Sequence, residues 1–394
     1  MAGTCLTLAA VLLFPWGRIR AAGTSAAGLL RLNSPADYQV HQRATRKDGT
    51  IMVGGSLPGT DARAATLEAR LIGACGAARW RRLCTIKADQ SEFRSQMKAP
   101  AGGWYRLELR VRHGDTVDAE GVVEHVGVGE VFVIAGQSNA ANHGEERQQT
   151  KNQLVAACEN GKWRLANDPQ PGASGSGGSF IPPFGDAIVT QFRVPVGIVA
   201  TGIGATSIRE WLPRGARFAN PPTLTGNVTQ LPGGEWESKG TLFENLVTRM
   251  KQPGLKGFRA VLWHQGESDA NQQDPSRTLP GELYEIFLEQ LIRDSRCEVG
   301  WQVPWFVAQV SYHKPDDEGS PDIRAAQQAL WQKGIALEGP DSDELRGELR
   351  EDGGKGIHFS GEGLREHGLI WARKVGRWLE NQLGQKGRAA VESK

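Results

Sequence analysis

Two periodicities divide the chain. From about Leu30 to Gly127, apolar and polar positions alternate in the short runs "YQVHQRA", "TIMVGGSL", "TLEARLIG", "WRRLCTIKA" and "GGWYRLELRVR", with Gly, Pro and Asp between them. A period of two broken by frequent turn residues predicts short strands with one wet face, the pattern of an all-β sandwich. In "YRLELRV" that wet face carries Arg106 and Arg110. From "GEVFVIAG" onward the apolar runs become continuous: "VFVIA" (131–135), "PVGIVATG" (195–202), "GFRAVLWHQGE" (257–267) and "VPWFVAQVSY" (303–312). Stretches with helical spacing at 281–296, 322–336 and 363–383 lie between or after them. Unalternating strands joined by helices predict a parallel sheet covered on both faces. Regions 165–183 and 212–240 follow neither period and are expected to be long loops. The expected organisation is a leader over 1–23, a β-sandwich-like domain over 24–127 and an α/β domain over 128–394.

The leader contains an apolar run from Leu6 to Trp16, too short to span a bilayer, and reads as a secretory signal cleaved near Ala21 to Gly23. Its departure from that pattern is the lack of Lys or Arg before the run, whereas Arg18 and Arg20 follow it. Export to a periplasmic or extracellular compartment is the resulting expectation, with no membrane span in the mature chain. Removal of the leader would take Cys5 and leave Cys75, Cys84, Cys158 and Cys297. Four cysteines in an exported chain are compatible with disulfides, and Cys75 and Cys84 are near enough in sequence to close a small hairpin. Neither they nor the scattered histidines have the spacing of a zinc site, so no metal is expected. A net charge of +2 over 394 residues supplies no basic face for nucleic acid.

The chemistry concentrates where the apolar runs stop. The first ends in Gly136-Gln137-Ser138-Asn139, the second in "TGIGATSIREW" (201–211) and the third in "WHQGESDA" (263–270), while "GIHFSGEG" (356–363) precedes the last helix. Parallel strands bring their carboxyl ends to one edge, where α/β sheets bind ligands, so these loops are expected to converge. A hydrolytic serine needs a hydroxyl, a base, a carboxylate to orient the base, and donors for an oxyanion. Ser138 and His358 supply the first two. The N–H groups of Ser138 and Gly204 and the side-chain amide of Gln265 supply candidate donors. "TGIGAT" fails as a dinucleotide fingerprint, because Ser207 stands at its third glycine position and no acidic residue follows about twenty positions on. No other cofactor is called for.

"GQSNAANHGE", "GATSIREW", "WHQGESDA" and "GIHFSGEGL" resemble, in order, the four blocks of the SGNH-type hydrolases, most closely the branch of sialate O-acetylesterases and family-six carbohydrate acetylesterases. The resemblance spans roughly 128–380. It implies a three-layer, flavodoxin-like α/β fold and metal-independent removal of acetyl groups from carbohydrate hydroxyls, with acetylated carbohydrate as the partner. It further implies Ser138 as nucleophile, Gly204 and Gln265 as oxyanion donors and His358 as base. Where the wider superfamily commonly has an Asp three residues before the histidine, this chain has Lys355, which cannot accept from an imidazole N–H. The branch implies Glu267 in its place, with Asp352 in reserve. Rival functions are a non-catalytic glycan-binding protein that keeps the fold and a general carboxylesterase. His264 is expected to be a core residue, His143 to serve either loop or substrate, Trp371 and Trp378 to be core, and Trp211 and Trp263 to be the tryptophans nearest the pocket.

Overall fold

The computed structural model describes residues 28–59, 63–313 and 317–392, with side chains described through Gly384. The leader over 1–23 lies outside the described residues, and Cys5 with it. The chain is a mixed α/β protein with a β-rich amino-terminal region.

One strand, Thr116–Gly136, belongs to both halves and runs through the 127/128 division. Its first part pairs antiparallel with Gly102–His113, with bulges that bend it, and its last residues form the centre of a parallel sheet. Val196–Ala200 lies on one side of this central segment, followed outward by Val155–Glu159; Ala260–His264, Trp305–Gln309 and Leu337–Asp341 lie on the other, and all are parallel. Lys162–Leu165 closes one edge as an antiparallel hairpin partner.

Alternation inside the apolar run explains why the sheet is covered twice. Val131, Val133 and Ala135 point into a core shared with helices Thr241–Lys251, Gly281–Val299 and Pro321–Gln332. Phe132 and Ile134 point into a second core with Ile181–Phe192 and Gly361–Glu392. A strand apolar at every position is stable only with helices on both faces. Trp371 is fully buried in the second core and Trp378 packs against it.

In the amino-terminal region the strands Arg31–Ser34, Asp48–Ser56 and Glu92–Pro100 form one antiparallel sheet. It faces Ala65–Gly73, Gly102–His113 and the start of the shared strand across a core built from Ile51, Val53, Leu67, Phe93, Leu107 and Leu109. The outer face of that second sheet is held by cross-strand ion pairs, Arg70 to Glu108 and Arg110 to Glu68, with both guanidinium groups also over Trp80. None of Cys75, Cys84, Cys158 and Cys297 is bridged. Cys75 sits at the hairpin tip after Ala65–Gly73, whereas Cys84 pairs opposite Leu67, several residues back along the strand, so the register separates them.

The two regions are joined by charge as well as by the strand. Glu130, fully buried, accepts from Arg43 Nε at 2.6 Å, Arg259 Nε at 2.7 Å and Gln42 Nε2 at 2.9 Å. Regions 165–183 and 212–240 lack long elements but are pinned. Asp168 accepts from Gln148 and Ser179, and a small sheet of Arg217–Phe218, Val228–Gln230 and Trp236–Ser238 organises the second region.

Candidate active site

The central strand stops at Gly136 because its neighbour leaves no room for a side chain. Its φ is +130°, and a Cβ there would lie 2.0 Å from the carbonyl oxygen of His264. The chain then makes a 3₁₀ turn at Ser138–Ala140. The adjacent loops are stitched to that turn by hydrogen bonds. Gln137 N–H donates to His264 O at 3.0 Å, and Gln137 Oε1 accepts from Ser268 N–H at 3.0 Å. Asn139 Nδ2 donates to Glu267 Oε1 at 3.1 Å. From the second loop, Ile203 N–H donates to Gly136 O at 2.9 Å.

Ser138, Gly204, Glu267 and His358, which come from four separate loops, line one cavity of about 440 Å³ together with His143 and Ser174. His143 Nε2 and Ser174 Oγ are 3.0 Å apart, and the His143 ring lies 5.4 Å from that of His358. Burial, and then the neighbouring His358, hold His143 below the usual imidazole pKa. The Gly204 N–H donates to Ser174 Oγ at 2.7 Å, and a Cβ on Gly204 would meet the His143 ring at 2.7 Å.

The carboxylate that reaches His358 is Glu351. Its Oε1 lies 2.8 Å from His358 Nδ1 and also accepts the His358 backbone N–H at 3.0 Å. The intervening "DGGKG" makes this geometry possible. Asp352, Gly353 and Gly354 take positive φ of 54°, 63° and 90°, reversing the chain, and Gly356 leaves space for the glutamate. A Cβ on Gly356 would fall 2.0 Å from Glu351 Cγ. Backbone bonds from Glu351 N–H to His358 O and from Gly356 N–H to Glu351 O close the turn at 3.0 Å each. Beneath it, buried Arg350 donates to the carbonyls of Leu345, Ile357 and Ser342, with its guanidinium over Tyr312 and Phe359. Burial lowers its pKa to about 10, so it remains a cation.

Three expectations are corrected by this geometry. Glu267 does not approach His358 Nδ1; it is buried, its Oε1 is held by Asn139, its Oε2 has no partner, and desolvation raises its pKa to about 7. Asp352 turns outward and is exposed, as is Lys355. The Gln265 amide does not line the cavity, because its Nε2 is committed to Asp269 Oδ2 at 2.6 Å and to Thr206 O at 3.1 Å. Asp269 is the hub of the loops behind the site: fully buried, it also accepts from Ser207 Oγ, Ile208 N–H and Arg209 Nη2. Trp211 and Trp263 pack edge to face in the core rather than in the cavity. His264 is a core residue, with Nε2 2.9 Å from Ser342 Oγ and a pKa lowered to about 3 by burial. Sequence reasoning missed Glu351, Arg350 and Ser174. Only Glu351 carried a signal, standing seven residues before the histidine at the start of a glycine-rich turn.

Among the described residues no cluster of three or more His, Cys, Asp or Glu could hold a metal ion, and no helix is long and apolar enough to cross a membrane.

Loops that follow the parallel strands or precede the last helix thus gather a serine, two histidines and a glutamate around one cavity of a mixed α/β chain. The family description "Carbohydrate esterase, sialic acid-specific acetylesterase" matches residues 128–377, more than half of the chain, and the protein belongs to that family. Among solved structures, a carbohydrate acetylesterase from Xanthomonas citri shares the fold, with 20% identity and a TM-score of 0.51 over 87% of this chain and 73% of that one. A protein from Arabidopsis thaliana is 20% identical with a TM-score of 0.42, covering 62% of this chain and 96% of that one. NanS is 14% identical with a TM-score of 0.41, covering 64% and 98% respectively. No curated protein gave a significant match to the sequence.

Proposed function

We propose that the protein is a serine esterase that removes O-acetyl groups from carbohydrate, sialic acid or an acetylated polysaccharide being the substrate class, through an acetyl-serine intermediate. The observation that carries this reading is that Ser138 and His358 line one cavity while Glu351 occupies His358 Nδ1. With Nδ1 engaged, Nε2 is the nitrogen left to act on Ser138.

His358 Nε2 takes the Ser138 hydroxyl proton as Oγ attacks the acetyl carbonyl carbon. The oxyanion is held by the N–H groups of Ser138 and Gly204, the latter taken over from Ser174 Oγ, to which it donates at 2.7 Å. Collapse breaks the bond to the sugar oxygen, which leaves with the proton returned by His358. Water, deprotonated by His358, then attacks the acetyl-serine, and acetate departs as Ser138 regains its proton. Gln265 and Asp269 act behind the site by fixing the loops, and Glu267 ties the serine turn to the third loop through Asn139.

The parallel order, Val155–Glu159, Val196–Ala200, the end of Thr116–Gly136, Ala260–His264, Trp305–Gln309 and Leu337–Asp341, with helices on both faces, supports the three-layer, flavodoxin-like SGNH reading. The family match supports carbohydrate as the alcohol side of the ester. The apolar run from Leu6 to Trp16 supports export. A β-sandwich-like domain before an esterase domain is supported by a largely distinct core in the amino-terminal region, although the strand Thr116–Gly136 and residues Val40 and Val128 cross the division at 127.

The test is acetate release from acetylated sialic acid, acetylated xylan and 4-nitrophenyl acetate by the wild type and Ser138→Ala. Serine-dependent release from a saccharide supports the proposal, and release from the aryl ester alone makes the protein a general carboxylesterase. Release that survives Ser138→Ala would refute the serine mechanism, and none from any substrate would leave the glycan-binding alternative.

A further inference from the structure

A second cavity lies in the β-rich region. It has a volume of about 570 Å³ and opens between the hairpin that follows Ala65–Gly73 and the start of Gly102–His113. Arg70, Arg79, Arg81 and Lys98 line it, and no carboxylate does. Arg70 is neutralised by Glu108, whereas Arg79, Arg81 and Lys98 are exposed and pair with no acidic group among the described residues. The remaining wall includes Tyr105 and Trp104.

We propose that this cavity is a second saccharide site, selective for sugar chains that carry carboxylates. Three cations in one concavity whose lining holds no carboxylate create a local positive potential. Such a potential recognises anions, and the aromatic wall supplies flat apolar area of the kind that packs on sugar rings. The volume falls within the range of small-ligand sites. A nucleic acid is the competing polyanion for such a patch, and the titration includes one. The binding is independent of the esterase reading: the cavity borders Pro195 and Gln153 at the amino ends of the parallel strands, whereas Ser138 follows the carboxyl end of the central one.

The test uses the full chain and a variant carrying Arg79→Ala, Arg81→Ala and Lys98→Ala, all at exposed positions outside the catalytic cavity. Oligogalacturonate, a xylo-oligosaccharide of equal length and a single-stranded oligonucleotide are titrated calorimetrically. Oligogalacturonate is expected to bind the wild type, more weakly as salt rises, and to lose about tenfold or more in affinity in the variant. The neutral chain is expected not to bind.

Exposed Cys75 lines the cavity and serves as a local reporter: bound oligogalacturonate slows its alkylation but not that of exposed Cys297. Turnover of 4-nitrophenyl acetate is expected to be equal in both proteins. Unchanged affinity in the variant, equal binding of the neutral chain, preference for the oligonucleotide, or no protection of Cys75 would each overturn the proposal. Failure of acetate release with these binding results intact would instead count against the esterase reading.

Discussion

Two loops of the site each present a glutamate to the cavity region, and they hold it in opposite ways. In the turn Glu351–His358 the carboxylate is partly exposed and doubly engaged, accepting from both the backbone and the ring of one histidine. In the loop after Ala260–His264, Glu267 is buried with one oxygen unpartnered, and desolvation raises its pKa to about 7. A carboxylate steadies an imidazolium when it is ionised and aimed at the ring N–H, and only Glu351 meets that geometry. The third loop works mainly through its other acid, Asp269, which ties together the backbone of the second loop and Arg209. The contrast separates an acid held against a cavity histidine from acids that build the wall behind it.

The strongest way to break the comparison is Asp269→Ala. It leaves the fully buried Arg209 without its carboxylate and is expected to destabilise the protein by about 3–5 kcal/mol, measured by urea unfolding. Gly356→Ala attacks the other loop. Its Cβ cannot coexist with Glu351 Cγ at 2.0 Å, so kcat is expected to fall on the order of 10²-fold by loss of an oriented base, with little change in far-UV circular dichroism.

A pH series sharpens the contrast at Glu267. A carboxyl whose pKa is raised on folding binds its proton more tightly in the native state, so stability falls as pH rises from the unfolded value near 4.5 to about 7 and then levels off. Because Glu210 is raised in the same way and buried His41 and His264, lowered on folding, act in the opposite direction, the readout is a difference: as pH rises from about 4.5 to about 7 the urea midpoint of the wild type is expected to fall relative to that of Glu267→Gln, and no further above it. The smallest effect belongs to Lys355→Ala. This exposed side chain replaces an expected acid but touches neither Glu351 nor His358, so both kcat and the urea midpoint are expected to stay at wild-type values.

Much of this site could be read from the chain because the signals were local. Continuous apolar runs located the parallel strands, and their ends located Ser138, Gly204 and the third loop. "GGWYRLELRVR" and its neighbours showed their strands through period two. Glu351 was less legible because its role depends on three successive positive φ values at Asp352, Gly353 and Gly354, which fold a seven-residue separation into a 2.8 Å contact. Gln265 misled for the opposite reason. Its position beside Glu267 is visible in sequence, but the direction of its amide is set by Asp269 and Thr206, which only the packed loops bring together. Ser174 lies in a stretch of Gly and Ser without periodicity, and its contact with the Gly204 N–H is purely tertiary.

The most direct measurement is kcat for acetate release from an acetylated saccharide by Glu351→Gln and Glu267→Gln, assayed side by side with the wild type after both variants are shown to be folded. The account predicts a loss of about 10²-fold or more in Glu351→Gln and less than about tenfold in Glu267→Gln. Collapse of Glu267→Gln with Glu351→Gln near wild type would contradict it and return the orienting role to the third loop.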